Sequence, residues 1–268
     1  MDLQAIFSRL FNDYKSLNPS VGKIHSLLKN ENETIVNDHI AFRTYNLPKI
    51  NIDVLAKAFE VRGYKVKGNY RFKEKKLTAK HYENDEFSEA PKIFISQLEV
   101  SLLSDTTQAI INHHYEKMLQ DSFDENELIF SKNLNFKPSY KNYQFLRHES
   151  EYAAWMYVFG FRANHFTIFV NYLNKFNTLE KLNNFVCNNG FELNQSGGII
   201  KGSEKQYLKQ SSTYADKVKV DFVEGTFEIP ACYYEFAERF KQSNGALFQG
   251  FIAGSADKIF ESTHFRSK

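Results

Sequence analysis

The sequence predicts an α+β fold in which two βαβββ modules build one curved, mostly antiparallel mixed sheet with helices outside. Three observations carry that reading. A strand followed by a helix occurs twice: 35–45 before 51–62, and 163–172 before 178–189. Each helix is closed by a glycine, Gly63 or Gly190, where a C-terminal cap needs one. Each strand carries a central histidine at nearly the same distance from its glycine, 24 residues for His39 and 25 for His165. Two copies with a helical insert between them make a duplicated module, not a solenoid. The resulting division is one domain of residues 1–268: a first module at 33–100, a helical insert at 101–160, and a second module at 161–268 ending in a helix.

The elements follow in order from hydrophobic periodicity. Ile6, Leu10, Phe11 and Tyr14 recur at helical spacing in 3–15, and Ser20 caps a second helix at 21–29. After the first His-bearing strand and its helix, strands fall at 64–71, 76–83 and 92–99, with a polar loop at 84–91. A helix spans 104–119, residues 120–150 read as irregular and polar, and Ser150 to Phe161 reads as a buried helix containing Trp155. In the second copy, strands follow at 191–195, 198–202, 206–212, 217–223 and 226–237, and the tail 247–264 forms one more helix.

Charge and composition exclude several classes. A net charge of +2, without a block of like charges, gives no electrostatic footprint for nucleic acid. The longest near-apolar run, Tyr152 to Phe161, is about half of what a bilayer span requires. The first residues lack the basic start and apolar stretch of a secretory signal. Cys187 and Cys232 stand far apart, which suits a reduced, cytoplasmic setting. The 26 Phe and 15 Tyr are many, and a biased genome accounts for them as well as a special function would.

Strand alternation sorts the chemistry-bearing residues onto faces. Asn37, His39, Ala41 and Arg43 point one way, with Asp38, Ile40 and Phe42 opposite. His165 and Thr167 share a face against Phe166, Ile168 and Val170. The apolar sets belong under the helices, so each histidine belongs on the concave side. In the last strand Tyr233, Glu235, Ala237 and Arg239 share a face, and Gln210 and Ser212 share another that lines the same pocket. Two imidazoles and one carboxylate on one side of a metal leave positions open for substrate and dioxygen on Fe(II). A single mid-strand histidine is usually a core residue; two at matching places in a repeat argue for ligands.

These segments resemble a known family. Asn37-Asp38-His39-Ile40-Ala41-Phe42-Arg43-Thr44 resembles the signature of 2-oxoadipate dioxygenase/decarboxylase proteins, within the vicinal oxygen chelate superfamily. Arg162 to Thr167 resembles their second-histidine segment, and Tyr207 to Ser212 a later strand. Glu235-Phe236-Ala237-Glu238-Arg239 is similar to the Glu-x-x-x-Arg of that family and of 4-hydroxyphenylpyruvate dioxygenase. The likeness covers roughly residues 33 to 262; Lys209 departs from it, standing where Arg is common, as do the residues after Arg239. By this match the iron ligand is Glu235, not Glu224, Glu228 or Glu238.

The resemblance implies an Fe(II) enzyme of lysine catabolism that takes a small 2-oxo acid and dioxygen. It would release carbon dioxide and hydroxylate the shortened chain, 2-oxoadipate giving 2-hydroxyglutarate. It also gives Arg43 a role. Strand spacing puts the Cα atoms of His39 and Arg43 about 13 Å apart, which by itself suits a rim residue paired with a surface acid. With a 2-oxo acid held at the metal, the same spacing suits a guanidinium meeting the remote carboxylate. His113-His114, His81, His148 and His264 lack partners at ligand spacing, and Gly197-Gly198 is a turn without a phosphate-binding helix after it. Two other functions remain open for the double module: a metal-dependent isomerase or lyase, and a metal-free binder of a small ligand.

Overall fold

Asp2 starts the first helix: its carboxylate accepts from the Ala5 amide at 2.8 Å, and α1 (Leu3–Leu17) buries Ile6, Leu10 and Tyr14. The second helix, α2 (Pro19–Asn30), begins two residues earlier than Ser20 predicts. Proline is pre-organised for the first helical position, so Asn18 precedes the helix and Ser20 lies inside it. Ser20 instead gives its amide and hydroxyl to Asp216 at 2.8 and 2.6 Å. These coordinates are a computed structural model, which describes residues 1–87, 89–119, 127–133, 136–252 and 254.

The first half of the sheet comprises β1 (Asn37–Tyr45), β2 (Tyr64–Phe72), β3 (Leu77–Asn84) and β4 (Lys92–Leu98), with α3 (Ile52–Glu60) after β1. The helices α4 (Asp105–Met118), α5 (Tyr140–Glu149) and α6 (Glu151–Phe159) connect it to the second half. There β5 (Ala163–Phe169) leads to α7 (Leu179–Asn188), then β6 (Lys201–Ser203) and β7 (Leu208–Ser212). A hairpin of β8 (Lys217–Phe222) and β9 (Gly225–Pro230) precedes β10 (Glu235–Arg239). No described helix is long and apolar enough to cross a membrane.

Eight strands form one sheet in the order β2-β3-β4-β1-β5-β10-β7-β6. That order reads the same from both ends: β1 and β5 meet antiparallel at the centre, each has a parallel neighbour (β4 or β10), and antiparallel pairs run outward. Phe42 packs on Phe59 of α3 at 5.4 Å and Phe166 on Phe11 of α1 at 5.2 Å, so helices cover the convex face. The concave face is left to His39, Arg43, His165 and Glu235, and α6 closes its Arg43 end. Tyr152 of α6 donates its hydroxyl to the Ser96 carbonyl at 2.7 Å, and Trp155 donates to Ala231 at 2.8 Å.

Four further sequence expectations differ from the structure. Residues 140–149 are helical; only Tyr143 and Leu146 of α5 are buried, too few for an apolar stripe to show. The strand expected at 226–237 is broken, because Pro230 lacks the ladder donor. Ala231 to Tyr234 then run buried from the hairpin to β10, and the hairpin forms a separate two-stranded sheet. The strand expected at 191–195 is one isolated bridge, Leu193 to Thr213. Leu247 to Ile252 are neither helix nor strand apart from a bridge at Leu247, and most of the expected tail helix lies outside the described residues.

Candidate metal centre

Two β-bulges set the geometry. Between β1 and β5, Asn37 pairs with Ile168 and His39 with Thr167, which leaves Asp38 as an extra residue. Ala41 pairs with His165 and Phe42 with Ala163, which leaves Asn164 extra. A bulge interrupts alternation and re-aims a side chain, so both residues lie beside the histidine that follows. Asp38 Oδ1 is 2.7 Å from His39 Nδ1, and Asn164 Oδ1 is 3.0 Å from His165 Nδ1. Both oxygens accept, so each Nδ1 has a partner for its proton and each Nε2 is the nitrogen turned towards the site.

The two Nε2 atoms converge on Glu235. Its Oε1 is 3.6 Å from His39 Nε2 and its Oε2 is 3.1 Å from His165 Nε2. One ligand atom from each of His39, His165 and Glu235 lies within 4.8 Å of the others. All three residues are at most 4% exposed. β10 places the carboxylate: Glu235 sits opposite Thr167 on one side and Ser212 on the other. The Thr167 hydroxyl is 3.1 Å from His39 Nε2. Gln210, expected beside a substrate, donates its amide to Glu235 Oε1 at 2.6 Å and so steadies that carboxylate. Ser212 is buried alongside.

Charge follows from burial and neighbours. Burial pushes the His165 imidazole below its ordinary value against the opposing pull of Glu235, which keeps the ring neutral and its lone pair available. Burial pushes Glu235 up, but its neighbours His165, His39 and the Gln210 amide outweigh it and hold the carboxyl below the usual range. Asp38 behaves likewise: burial raises it, and the Arg239 guanidinium brings it well below. Arg239 donates Nε to Asp38 Oδ2 at 2.5 Å and Nη2 to Oδ1 at 2.8 Å. Two imidazoles and a carboxylate, all on one side, fit a divalent first-row cation and leave its other side to exogenous ligands.

Arg43 lies buried at the other end of the same strand face, with its guanidinium 4.9 Å from the Tyr152 ring and 5.1 Å from Trp155. It lines a cavity of about 340 Å³ together with Leu77, Leu103, Arg147, Glu149 and Tyr152. Glu224, Glu228 and Glu238 stay away from the histidine pair; Glu224, for example, accepts from Ser139 and the start of α5. His114 is a buried core residue bonded to Asn133 at 2.6 Å. Sequence reasoning gave no role to Asp38, Asn164 or Phe251, and none to Arg239 beyond its place in the Glu-x-x-x-Arg resemblance. The aligned pairs Asp38-His39 and Asn164-His165 were the available signal for the first two.

Two βαβββ modules joined edge to edge around a buried His-His-carboxylate group define a protein of the vicinal oxygen chelate fold, with a site able to hold a metal ion. A family profile for 2-oxoadipate dioxygenase/decarboxylase matches residues 6–134 and 127–246. The 2-oxoadipate dioxygenase/decarboxylase of Oryza sativa subsp. japonica is 38% identical over 284 residues, covering 97% of this chain and 78% of the relative. The crystal structure of hydroxyglutarate synthase from Oryza sativa in complex with 2-oxoadipate superposes with a TM-score of 0.88 at 35% identity, covering 97% and 91% of the two chains. A hydrolase-labelled protein from Shewanella frigidimarina matches at 44% identity and a TM-score of 0.87, covering 94% and 98%. The chain belongs to the 2-oxoadipate dioxygenase/decarboxylase family.

Proposed function

We propose that this chain is an Fe(II)-dependent dioxygenase that converts 2-oxoadipate and dioxygen into 2-hydroxyglutarate and carbon dioxide. The observation that carries it is the buried, pre-oriented group of His39, His165 and Glu235 in a chain of this family. Those three side chains would hold the iron, which when bound supplies the electron chemistry with dioxygen. The protein's own work is orientation. Asp38 and Asn164 aim the imidazoles, Gln210 steadies the carboxylate, and Ser212 lies beside it. Arg43 would take the carboxylate remote from the metal, its planar fork held against two aromatic rings. With Cys187 and Cys232 both free thiols, the same proposal places the enzyme in a reducing, cytoplasmic setting.

The test is anaerobic Fe(II) loading followed by oxygen uptake on a set of 2-oxo acids. Labelled dioxygen is expected to leave one atom in a carboxylate and one in a hydroxyl of the same product. A protein that binds metal and turns over substrate without consuming oxygen is an isomerase or lyase instead. Arg43→Ala is expected to keep its iron and lose activity on 2-oxoadipate far more than on a 2-oxo monocarboxylic acid. Leaving a desolvated carboxylate unpaired costs roughly 2–5 kcal/mol of binding. Arg43→Lys should restore only part of this, because an ammonium cannot make a two-pronged contact. Equal loss on both substrates would move Arg43 to the chelated end of the molecule.

A further inference from the structure

Arg239 spends every nitrogen of its guanidinium, and the partners lie in two parts of the chain. Nε and Nη2 hold Asp38, the residue that orients His39. Nη1 donates to the carbonyls of Phe248 and Gly250 at 2.9 and 2.8 Å. That second contact fixes the segment leading into Phe251, which is 8% exposed. The Phe251 ring stands edge-on to His39 at 4.8 Å, touches Phe94 at 4.8 Å and His81 at 5.3 Å, and has the Arg239 guanidinium 5.2 Å from its centre. The first half of the sheet holds the same residue from the other side. Tyr70 accepts from the Phe251 amide at 3.2 Å and is 2.8 Å from His81 Nδ1.

We propose that Arg239 is a positioning residue that fixes the orientation of His39 and a Phe251 wall over the metal site as one unit. The chemistry explains why arginine is needed. Three nitrogens in a rigid plane donate four hydrogen bonds, to a carboxylate and two carbonyls at once, and an ammonium cannot reproduce that spread. An apolar wall beside a metal ligand controls how much water reaches the open coordination positions. Ligand aim and water exclusion therefore depend on one guanidinium, which stands four residues after Glu235 on the same strand.

The turnover arm of the test rests on the proposed function; the metal-binding arm does not. Full-length Arg239→Lys, Phe251→Leu and the double variant are compared with the parent chain. Anaerobic Co(II) affinity is measured by chelator competition, and dioxygen consumed per carbon dioxide released is measured on 2-oxoadipate with the Fe(II)-loaded proteins. Arg239→Lys is expected to bind Co(II) about 10-fold or more weakly, the scale of a lost supporting contact, and to consume excess dioxygen. Phe251→Leu should keep the parent's affinity yet show the same excess. The double variant should be no worse coupled than Arg239→Lys, since the wall is already displaced. Parent-like affinity and coupling in Arg239→Lys, or multiplied coupling defects in the double variant, overturn the proposal. Should Arg239→Lys fail to fold, Tyr70→Phe releases the wall from the other side: raised oxygen consumption with unchanged Co(II) affinity supports the unit, and parent-like coupling overturns it. A parent that binds Co(II) and, loaded with Fe(II), never consumes dioxygen refutes the proposed function alone, and the affinity of Arg239→Lys then decides for or against Arg239.

Discussion

The two halves of the sheet use the same plan and spend it differently. At the centre His39 faces Thr167 and Ala41 faces His165, so a two-fold exchange maps each histidine onto the other. One strand outward the equivalence continues, with Ala41 opposite Phe94 in β4 and Thr167 opposite Glu235 in β10. Phe94 and Glu235 thus hold equivalent places, one apolar and one a carboxylate. Duplication supplies a pair of imidazoles; a single divergence makes the group three-membered and one-sided. The orienting residues diverge too. Asp38 is a carboxylate locked to Arg239, whereas Asn164 is a neutral amide. The first half also runs longer, nine and eight residues in β2 and β3 against three and five in β6 and β7.

Making the halves alike at the ligand position is expected to have the largest effect. Glu235→Phe copies Phe94 into the second half, and stoichiometric iron should be lost with the chain still folded. Oxygen uptake should fall by roughly a thousandfold or more, since a metal's contribution is several kcal/mol. Full iron retention in that variant would remove Glu235 from the ligand set. Next comes the orienting pair. Asp38→Asn gives both halves an amide and leaves Arg239 buried without its counter-charge, which costs about 3–5 kcal/mol of stability. Asn164→Ala should cost about 1–3 kcal/mol, the value of an unmatched buried donor. Urea unfolding of the two variants measures the difference; equal losses would mean that the Asp38–Arg239 pair has no special weight.

The helices joining the halves supply a control with a pH signature. Burial brings the His114 imidazole down to about 4, against the opposing hydrogen bond to Asn133. The unfolded chain takes up that proton near pH 6.5, the folded one only near 4, so the unfolded state binds more protons in between. Stability from this group is complete above pH 6.5 and declines as pH falls through that window, by up to about 3 kcal/mol. His114→Gln should flatten the dependence of the urea midpoint between pH 7 and 4.5, without touching metal affinity. An unchanged slope would assign the acid sensitivity to groups on the sheet.

Much of the fold is local in origin. Period-two alternation, Gly63 and Gly190 as helix ends, and the repeated His-bearing strand all act within a few residues, and each is visible without a partner. His39 and His165 could be picked out because strand periodicity assigns a face and the repeat picks the position; Glu235 has no acidic counterpart in the repeat, and only its Glu-x-x-x-Arg resemblance set it apart from the neighbouring acids. Tertiary structure decided what depends on registers between distant strands. A bulge exists only relative to the strand it faces, so alternation put Asp38 on the wrong side of the sheet from His39. Asp38 and Arg239 are 201 residues apart, and no local signal joins them. Phe251 lies where the sequence suggested a helix, and its place over His39 follows from Arg239 and Tyr70 holding its backbone. Local preferences set which faces and elements exist; long-range pairing, whose loop-closure cost only the assembled sheet can offset, set what the faces meet.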